Sequence, residues 1–309
     1  MAFSFQVSKM NSFDNYNAAI HPKHDLISVN APVFGKDAKL SPHLAIVLAD
    51  KGFMLEQVCL PWRYFTDRGF VVEFVIAESI FPPRPPKPND SYMTGWKSHV
   101  LGASKEILDI YSVLCTLNEF NNPKCYRSNG FTFDNFSAVF ITGGRNPFVR
   151  EMLEDPLLHA SLVPYIHSCR TIQPDEEVKD NRKIKVLGAI SQGAAAIYLA
   201  EPNINMKTTT IPAWMERSNS FLNPTPDNST YPYAATIIPK DKYVSGPYRR
   251  VAFTYQDENY YYISGRSNKD IGELSKKMYL MYKQAYKDLN ASLRERRRRS
   301  TSNRRNSGI

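Results

Sequence analysis

Four short runs of apolar residues, each about as long as a β-strand, divide the chain. They lie at 43–49, 70–77, 138–141 and 184–190. Runs that are apolar throughout, rather than alternating with polar residues, are typical of strands buried on both faces of a parallel sheet. Segments with helical spacing separate them. This order predicts an α/β fold with a doubly wound, mostly parallel sheet sandwiched by helices.

The segments between and after these runs predict helices and one hairpin. Helical spacing covers 55–68, where Gly69 is a suitable stop, and continues at 104–120 and 155–169. Near the end of the chain, two strand-like runs flank the polar residues 256–259, a pattern typical of a β-hairpin. A last helix begins near Asp270, so the fold is predicted to end in a hairpin and a helix.

Two segments rich in proline interrupt this alternation. Residues 81–88 contain five prolines, which excludes a helix or an inner strand. The segment is predicted to be a rigid excursion of the fold, with an SH3-type ligand as the alternative. Residues 217–248 are rich in Pro, Asn, Ser and Tyr and are predicted to form a long ordered loop or lid.

The charge of the chain is concentrated at one end. The net charge is +9, and residues 294–309 hold seven arginines and one glutamate, so +6 of it lies there. Such a composition cannot build a core, and this basic tail is predicted to be disordered. The domain organisation is therefore an extension over 1–40, one domain over 41–293 and a basic tail over 294–309.

The basic tail is a candidate for binding anions. Its partners could be nucleic acid, an importin or an anionic surface, with a solvated segment without a partner as the remaining alternative. If nucleic acid is the partner, affinity should fall steeply with salt. The candidate anion-binding residues are Arg296, Arg297, Arg298, Arg299, Arg304 and Arg305.

Composition narrows the class of protein. The chain holds no run of about 18 apolar residues, so no membrane span is expected. Residues 1–10 lack the layout of a signal peptide, and the four cysteines are scattered, which argues against a disulfide framework or a zinc site. We expect a protein of the cytoplasm, with the nucleus as the alternative location, and predict no cofactor or metal site.

The residues with the strongest chemical signal follow the fourth apolar run. Residues 189–193 read Ala-Ile-Ser-Gln-Gly and lead into a helix-like run. A strand that turns sharply into a helix through small-x-nucleophile-x-Gly is typical of a nucleophile elbow. The central side chain of such an elbow lies over the carboxyl edge of the sheet. Ser191 is therefore the first candidate for chemistry.

Together with the elbow, the stretches 52–62, 136–144 and 153–158 resemble the ThiJ/PfpI superfamily. The resemblance covers about 43–282 and is strongest to the larger glyoxalase III and chaperone-type members. It implies the flavodoxin-like sandwich of the class I glutamine amidotransferases. It also implies a homodimer.

The resemblance carries expectations for single residues. In the family the elbow reads Ala-Ile-Cys-His-Gly, and a glutamate on the first helix lies four residues before a proline. Here Ser191 replaces the cysteine and Gln192 the histidine, and Gln57 precedes Pro61 in place of the glutamate. A helix shifted by one residue would instead place Glu56 at the acid position, since one residue turns a helix by about 100°.

The resemblance also implies backbone donors for an oxyanion. These are an N–H near the glycine pair Gly143 and Gly144, and the N–H of Gln192, which follows the nucleophile position. Arg145 comes next in the sequence. It could bind an anionic ligand or pair with a nearby acid at the surface.

The three replacements together favour a role without catalysis. An alcohol needs a base to become a nucleophile, and glutamine amides do not transfer protons at neutral pH. The six histidines show no motif that places one beside Ser191. We therefore expect a catalytically degenerate protein with a binding, regulatory or structural role.

Two other functions remain open from the sequence. The first is glyoxalase III, deglycase or chaperone-type activity, through Ser191 or by a non-covalent mechanism. The second is association with nucleic acid or an anionic surface through the basic tail. The small molecule that the pocket would bind is not identified by the sequence.

Overall fold

A seven-stranded sheet with helices on both faces forms the centre of the molecule. The computed structural model describes residues 41–77, 84–88, 103–144, 147–172, 183–216, 233–247 and 251–306. The predicted extension over 1–40, Arg145 and most of the predicted lid lie outside these residues.

Each predicted apolar run contains a strand, with small differences at its ends, and three further short strands were not predicted. The described strands are β1 (His43–Val47), β2 (Lys51–Phe53), β3 (Val71–Ile76), β4 (Lys87–Pro88), β5 (Lys124–Cys125), β6 (Ala138–Ile141), β7 (Val186–Ile190), β8 (Thr254–Gln256) and β9 (Tyr262–Gly265). The described helices are α1 (Leu55–Thr66), α2 (Lys105–Leu114), α3 (Asn118–Asn121), α4 (Pro147–Leu153), α5 (Pro156–Ser168), α6 (Ala195–Ala200), α7 (Tyr233–Ile237) and α8 (Ile271–Asn306).

The strand order confirms the doubly wound prediction. The sheet runs β5-β3-β1-β6-β7-β9-β8, and every neighbouring pair is parallel except β8 and β9, which form the predicted hairpin. The chain winds outward in one direction from β1 and in the other from β6. In such sheets, binding sites form beyond the carboxyl ends of the strands near this reversal.

The apolar strands divide their side chains between two cores. In β1, Leu44 and Ile46 contact one core, whereas Ala45 and Val47 contact the other. Helices α1, α2 and α8 cover the first face, and α4 to α7 cover the second. Because both faces are covered, alternation of polar and apolar residues is absent from the central strands.

The predicted helix over 104–120 is divided into α2 and α3. The side-chain amide of Asn121 donates to the carbonyls of Cys115 and Leu117, at 2.9 Å each. The Cys115 carbonyl is one that a continuous helix would have paired with its own backbone, whereas the Leu117 carbonyl also accepts the N–H of Asn121 at 3.1 Å. Helical spacing in the sequence continues across this break and therefore does not reveal it.

Part of the proline-rich segment belongs to the fold. Lys87–Pro88 forms β4, which pairs with β2 in a separate two-stranded parallel sheet. This agrees with the exclusion of an inner strand, since proline is tolerated at edges and strand ends. Residues 81–83 lie outside the described part of the chain.

The basic tail differs from its prediction of disorder. Helix α8 continues without a break from Ile271 to Asn306 and therefore includes most of the predicted tail. The first half of α8 is held by buried residues that end at Leu289. Extending an existing helix costs far less than starting one, and arginine is a good helix former, so the helix can propagate through the arginine run.

Candidate functional site

The backbone at Ser191 is strained in the manner that a nucleophile elbow requires. Its φ of 56° is the only positive value at a non-glycine residue in the described part of the chain. Such a conformation costs about 1–2 kcal/mol for an L-residue and is retained only where the surroundings enforce it. Ser191 is 7% exposed and begins a 3₁₀ turn, Ser191–Ala194, which leads from β7 into α6.

Two glycines allow the elbow to lie against the end of β6. A Cβ on Gly193 would lie 2.5 Å from the carbonyl oxygen of Ile141, and one on Gly143 would lie 2.6 Å from that of Ile190. Neither position admits a side chain without movement of the backbone. The hydroxyl of Thr210 also donates to the carbonyl of Ser191 and secures the turn from the opposite side.

A chain of hydrogen bonds connects the elbow region to the start of the last helix. Gln57 Oε1 accepts the N–H of Gly143 at 2.8 Å, and its Nε2 donates to Asn268 Oδ1 at 2.9 Å. The other amide atom of Asn268, Nδ2, donates to Glu56 Oε2 at 3.1 Å. The structure therefore places Gln57 against Gly143, and Glu56 against Asn268.

The groups at the two ends of this series of hydrogen bonds, Gly143 and Glu56, fix the orientation of both side-chain amides. Gly143 offers an N–H, so Gln57 must present oxygen to it and nitrogen to Asn268. Asn268 in turn presents its nitrogen to the Glu56 carboxylate. Burial raises the pKa of Glu56 above its usual value, although a hydrogen bond from its own backbone N–H to the carboxylate opposes the rise.

The residue after the nucleophile position is paired with a buried acid. Gln192 Nε2 donates to Glu216 Oε1, and Glu216 is fully buried. Burial raises the pKa of the Tyr233 phenol, Glu154 adds to this rise, and Glu216 makes a smaller contribution in the same direction. The ring of Tyr233 lies under Arg150, with the guanidinium carbon 4.8 Å from its centre.

The described histidines lie away from the elbow. His43 begins β1, at the edge opposite the elbow, and its Nδ1 lies 2.8 Å from Glu73. His159 contacts the carbonyl of Leu153, and the exposed His167 lies 3.4 Å from Glu201. The other three histidines, His21, His24 and His99, fall outside the described residues.

Cys59 lies two residues after Gln57 and belongs to the core. It is fully buried, and this burial raises the pKa of its thiol far above the ordinary value. A buried neutral thiol is a poor nucleophile. Within the described ranges, no group of three or more His, Cys, Asp or Glu side chains could hold a metal ion.

The other predicted site residues, Gly144, Arg145 and the tail arginines, do not all lie near the elbow or within the described residues. Gly144 follows Gly143 at the carboxyl end of β6, where its Cβ would lie 3.1 Å from Val149 Cγ2. Arg296 and Arg298 lie on the last helix, far along the sequence from the elbow, and the backbone of the other tail arginines continues that helix. Arg145 lies outside the described residues.

Sequence reasoning missed Glu216, Asn268 and Thr210. Thr210 lies in an irregular stretch and Glu216 in a helical turn over 213–216, and neither segment carries a period or motif in its sequence. Asn268 could have been noticed, because Ser267 and Asp270 form a capping box around it at the start of the last helix. Its contact with Gln57 joins residues 211 positions apart and has no local signal.

Comparison with known proteins assigns the family. Residues 48–247 match the profile described as ThiJ/PfpI family-like, which spans more than half of the chain. The chain belongs to the ThiJ/PfpI family. The predicted resemblance is thereby confirmed.

Three relatives illustrate the range of similarity to this ThiJ/PfpI member. An uncharacterized protein of Schizosaccharomyces pombe is 36% identical over 233 residues, covering 75% of this chain and 81% of that protein. The structure of the Rapid Encystment Protein of 24 kDa from Francisella tularensis covers 78% of this chain and 99% of its own, with a TM-score of 0.50 and 13% identity. The structure of glyoxalase III from Candida albicans covers 78% of this chain and 97% of its own, with a TM-score of 0.44 and 12% identity.

Proposed function

We propose that this protein is a catalytically degenerate ThiJ/PfpI member, in which the elbow is kept as part of a pocket with a binding, regulatory or structural role. The observation that carries the proposal is the 2.8 Å hydrogen bond from the N–H of Gly143 to Gln57 Oε1. The family resemblance implies an oxyanion donor near the Gly143–Gly144 pair. In this chain Gly143 already has a partner from within the protein.

The surroundings of Ser191 also support a site without proton transfer. The two replaced polar positions are amides, and each is held in a hydrogen bond away from the serine hydroxyl: Gln57 to Asn268, and Gln192 to Glu216. Ser191 itself is bonded to Thr210 through its main-chain carbonyl. A serine hydroxyl has a pKa far above neutral and needs an adjacent base to react.

Turnover of methylglyoxal tests the proposal directly, since glyoxalase III activity is the alternative that the resemblance implies. We expect the wild type and Ser191→Ala to show the same background rate. Turnover by the wild type that disappears in Ser191→Ala would show a working nucleophile and overturn the proposal. Circular dichroism and thermal melting of both proteins check that the substitution leaves the fold intact.

A second set of variants tests whether restoring the thiol and the imidazole of the family's elbow restores activity. The double variant Ser191→Cys, Gln192→His places a thiol at the elbow and an imidazole beside the buried Glu216. Because a positioned acid–base pair contributes about 10²–10⁴-fold, a gain of that size over the wild type is expected. The gain should disappear when Glu216→Gln is added, because the imidazole then loses its carboxylate.

Gln57→Glu forms the third step of this series. It restores the family's acid but places a second carboxylate beside Asn268, which already donates to Glu56. The new carboxylate would face Asn268 Oδ1, which is an acceptor, and would lie near Glu56, so the pKa of one of the two carboxyls should rise. We expect the pH–rate profile of the triple variant to be shifted to higher pH than that of the double variant. Methylglyoxal turnover measured against pH tests this.

A further inference from the structure

The last part of helix α8 lies outside the core. The buried side chains of the helix end at Leu289. Beyond this residue, the described side chains are exposed or half-buried, with Arg294, Glu295 and Arg298 among the exposed ones. At a rise of about 1.5 Å per residue, the helical part from 290 to 306 is about 25 Å long.

The composition of this projecting helix restricts what it can bind. Residues 294–306 contain seven arginines, one glutamate and five Ser, Thr or Asn residues, and no apolar residue. A helix that docks into a protein groove needs an apolar face, and so does one that lies in the membrane interface. What remains is attraction between dense positive charge and a polyanion.

The helix also presents arginine positions around its whole circumference. Successive residues of a helix are turned by about 100°, so the consecutive arginines 296–299 cover most of one turn. A flat anionic surface would meet only one side of such a helix. The major groove of B-form DNA is about 12 Å wide and has phosphates along both walls, so it can contact opposite sides of a helix that is about 10–12 Å in diameter.

We propose that the arginine-rich end of α8, residues 294–306, binds the phosphate backbone of double-stranded DNA without reading its sequence. The remainder of the chain carries a net charge of only +3, so the attraction is concentrated in this helix. Neutralising phosphates releases condensed counterions, which makes affinity depend steeply on salt. The phosphates also relieve repulsion among neighbouring arginines, and we expect the helix to be more stable in the complex.

Fluorescence anisotropy with a labelled duplex of random sequence tests the proposal on the full-length protein. We expect binding at about 50 mM salt that weakens by about 10²-fold or more at about 200 mM salt, because each phosphate contact adds about −0.9 to the logarithmic salt slope. A duplex of a different sequence should bind equally. The variant Arg296→Gln, Arg297→Gln, Arg298→Gln, Arg299→Gln should lose most of the affinity and flatten the slope by about 4.

A charge-matched control distinguishes an effect of the arginine-rich end of α8 from an effect of the net charge of the whole protein. The variant Lys105→Gln, Lys183→Gln, Lys207→Gln, Lys240→Gln removes the same number of charges from exposed lysines that lie outside α8. It should bind the duplex nearly as well as the wild type. Replacing the four arginines by lysine should retain most of the affinity, because phosphate neutralisation needs charge rather than a planar fork.

Three outcomes would overturn the assignment. One is duplex binding that is unchanged in the arginine variant. Another is equal loss in the lysine control, which would reduce the effect to net charge. The third is tail-dependent binding to anionic phospholipid vesicles together with no binding to the duplex, which would assign the helix to a membrane surface instead.

Discussion

At the scale of single residues, the elbow depends on glycines more than on Ser191. The sequence pattern identifies the turn, because small residues flank the nucleophile position. The structure supplies the reason for Gly193, which lies against the carbonyl of Ile141. The positive φ of Ser191 is then a consequence of how closely the turn approaches β6.

Gly193→Ala tests this close approach. The added Cβ would lie 2.5 Å from a backbone oxygen that cannot move alone, so we expect a loss of about 3 kcal/mol in the free energy of unfolding. Gly69→Ala is the matched control, since Gly69 has a φ of 81° and open space around its Cβ. It should cost only about 1 kcal/mol of backbone strain. Equal losses in the free energy of unfolding of the two variants, measured with urea, would contradict the steric explanation.

At the scale of secondary-structure elements, helix starts follow local signals that the sequence displays. Helix α5 begins after Asp155, which accepts the N–H of Leu157 at 2.8 Å, and Pro156 occupies the first helical position. Tertiary partners add to this cap. Arg127 Nε and the hydroxyl of Tyr126 both donate to Asp155 Oδ2, at 2.7 Å and 3.0 Å.

Asp155→Asn should remove a pH-dependent part of the stability. Burial alone would raise the pKa of Asp155, but the bonds from Leu157, Arg127 and Tyr126 outweigh it and lower the pKa below 3.8. A carboxyl whose folded pKa is lowered stabilises the protein above its unfolded pKa, and this contribution is lost as pH falls through the folded value. Asparagine caps a helix about as well as aspartate, so the variant can keep the bond from Leu157, but it removes the charge together with the acceptor for Arg127 and Tyr126.

Urea unfolding at neutral pH and at about pH 3 measures this contribution. The variant should be less stable than the wild type by about 1 kcal/mol at neutral pH, with the difference closing as the medium becomes acidic. A difference that is constant with pH would mean that the cap acts through geometry alone.

At the scale of the whole molecule, helix α8 has two parts with different roles. The first part closes one face of the sheet, where Met278 packs over Gly188 of β7 so closely that a Cβ there would lie 2.7 Å from its sulfur. The second part carries the arginines and no buried residue among those described. The predicted homodimer and the predicted location in cytoplasm or nucleus stay predictions.

Deleting residues 294–309 should therefore leave stability nearly unchanged, within about 0.5 kcal/mol. Met278→Ala should cost about 2–5 kcal/mol, because it leaves a cavity between α8 and the sheet. Thermal and urea unfolding of both variants measures the contrast. A large loss on deletion would show that the arginine-rich helix supports the core, and would weaken its assignment as a binding element.

The sequence by itself determined the class of fold and the sharp turn at Ser191. These rest on local information: uniformly apolar strands, helical spacing and the small residues around a sharp turn. No helix in the described part of the chain is long and apolar enough to cross a membrane, as the apolar runs had indicated.

Only the tertiary structure decided what surrounds the elbow. Gln57, Gly143 and Asn268 come from three distant segments that meet because the carboxyl ends of β6 and β7 lie beside the start of α1 and of α8. Glu216 reaches Gln192 from a helical turn over 213–216 that no pattern in the sequence reveals. Hydrogen bonds between distant side chains leave no period in a sequence, because each requires only one suitable residue at each end and a fold that brings the two together.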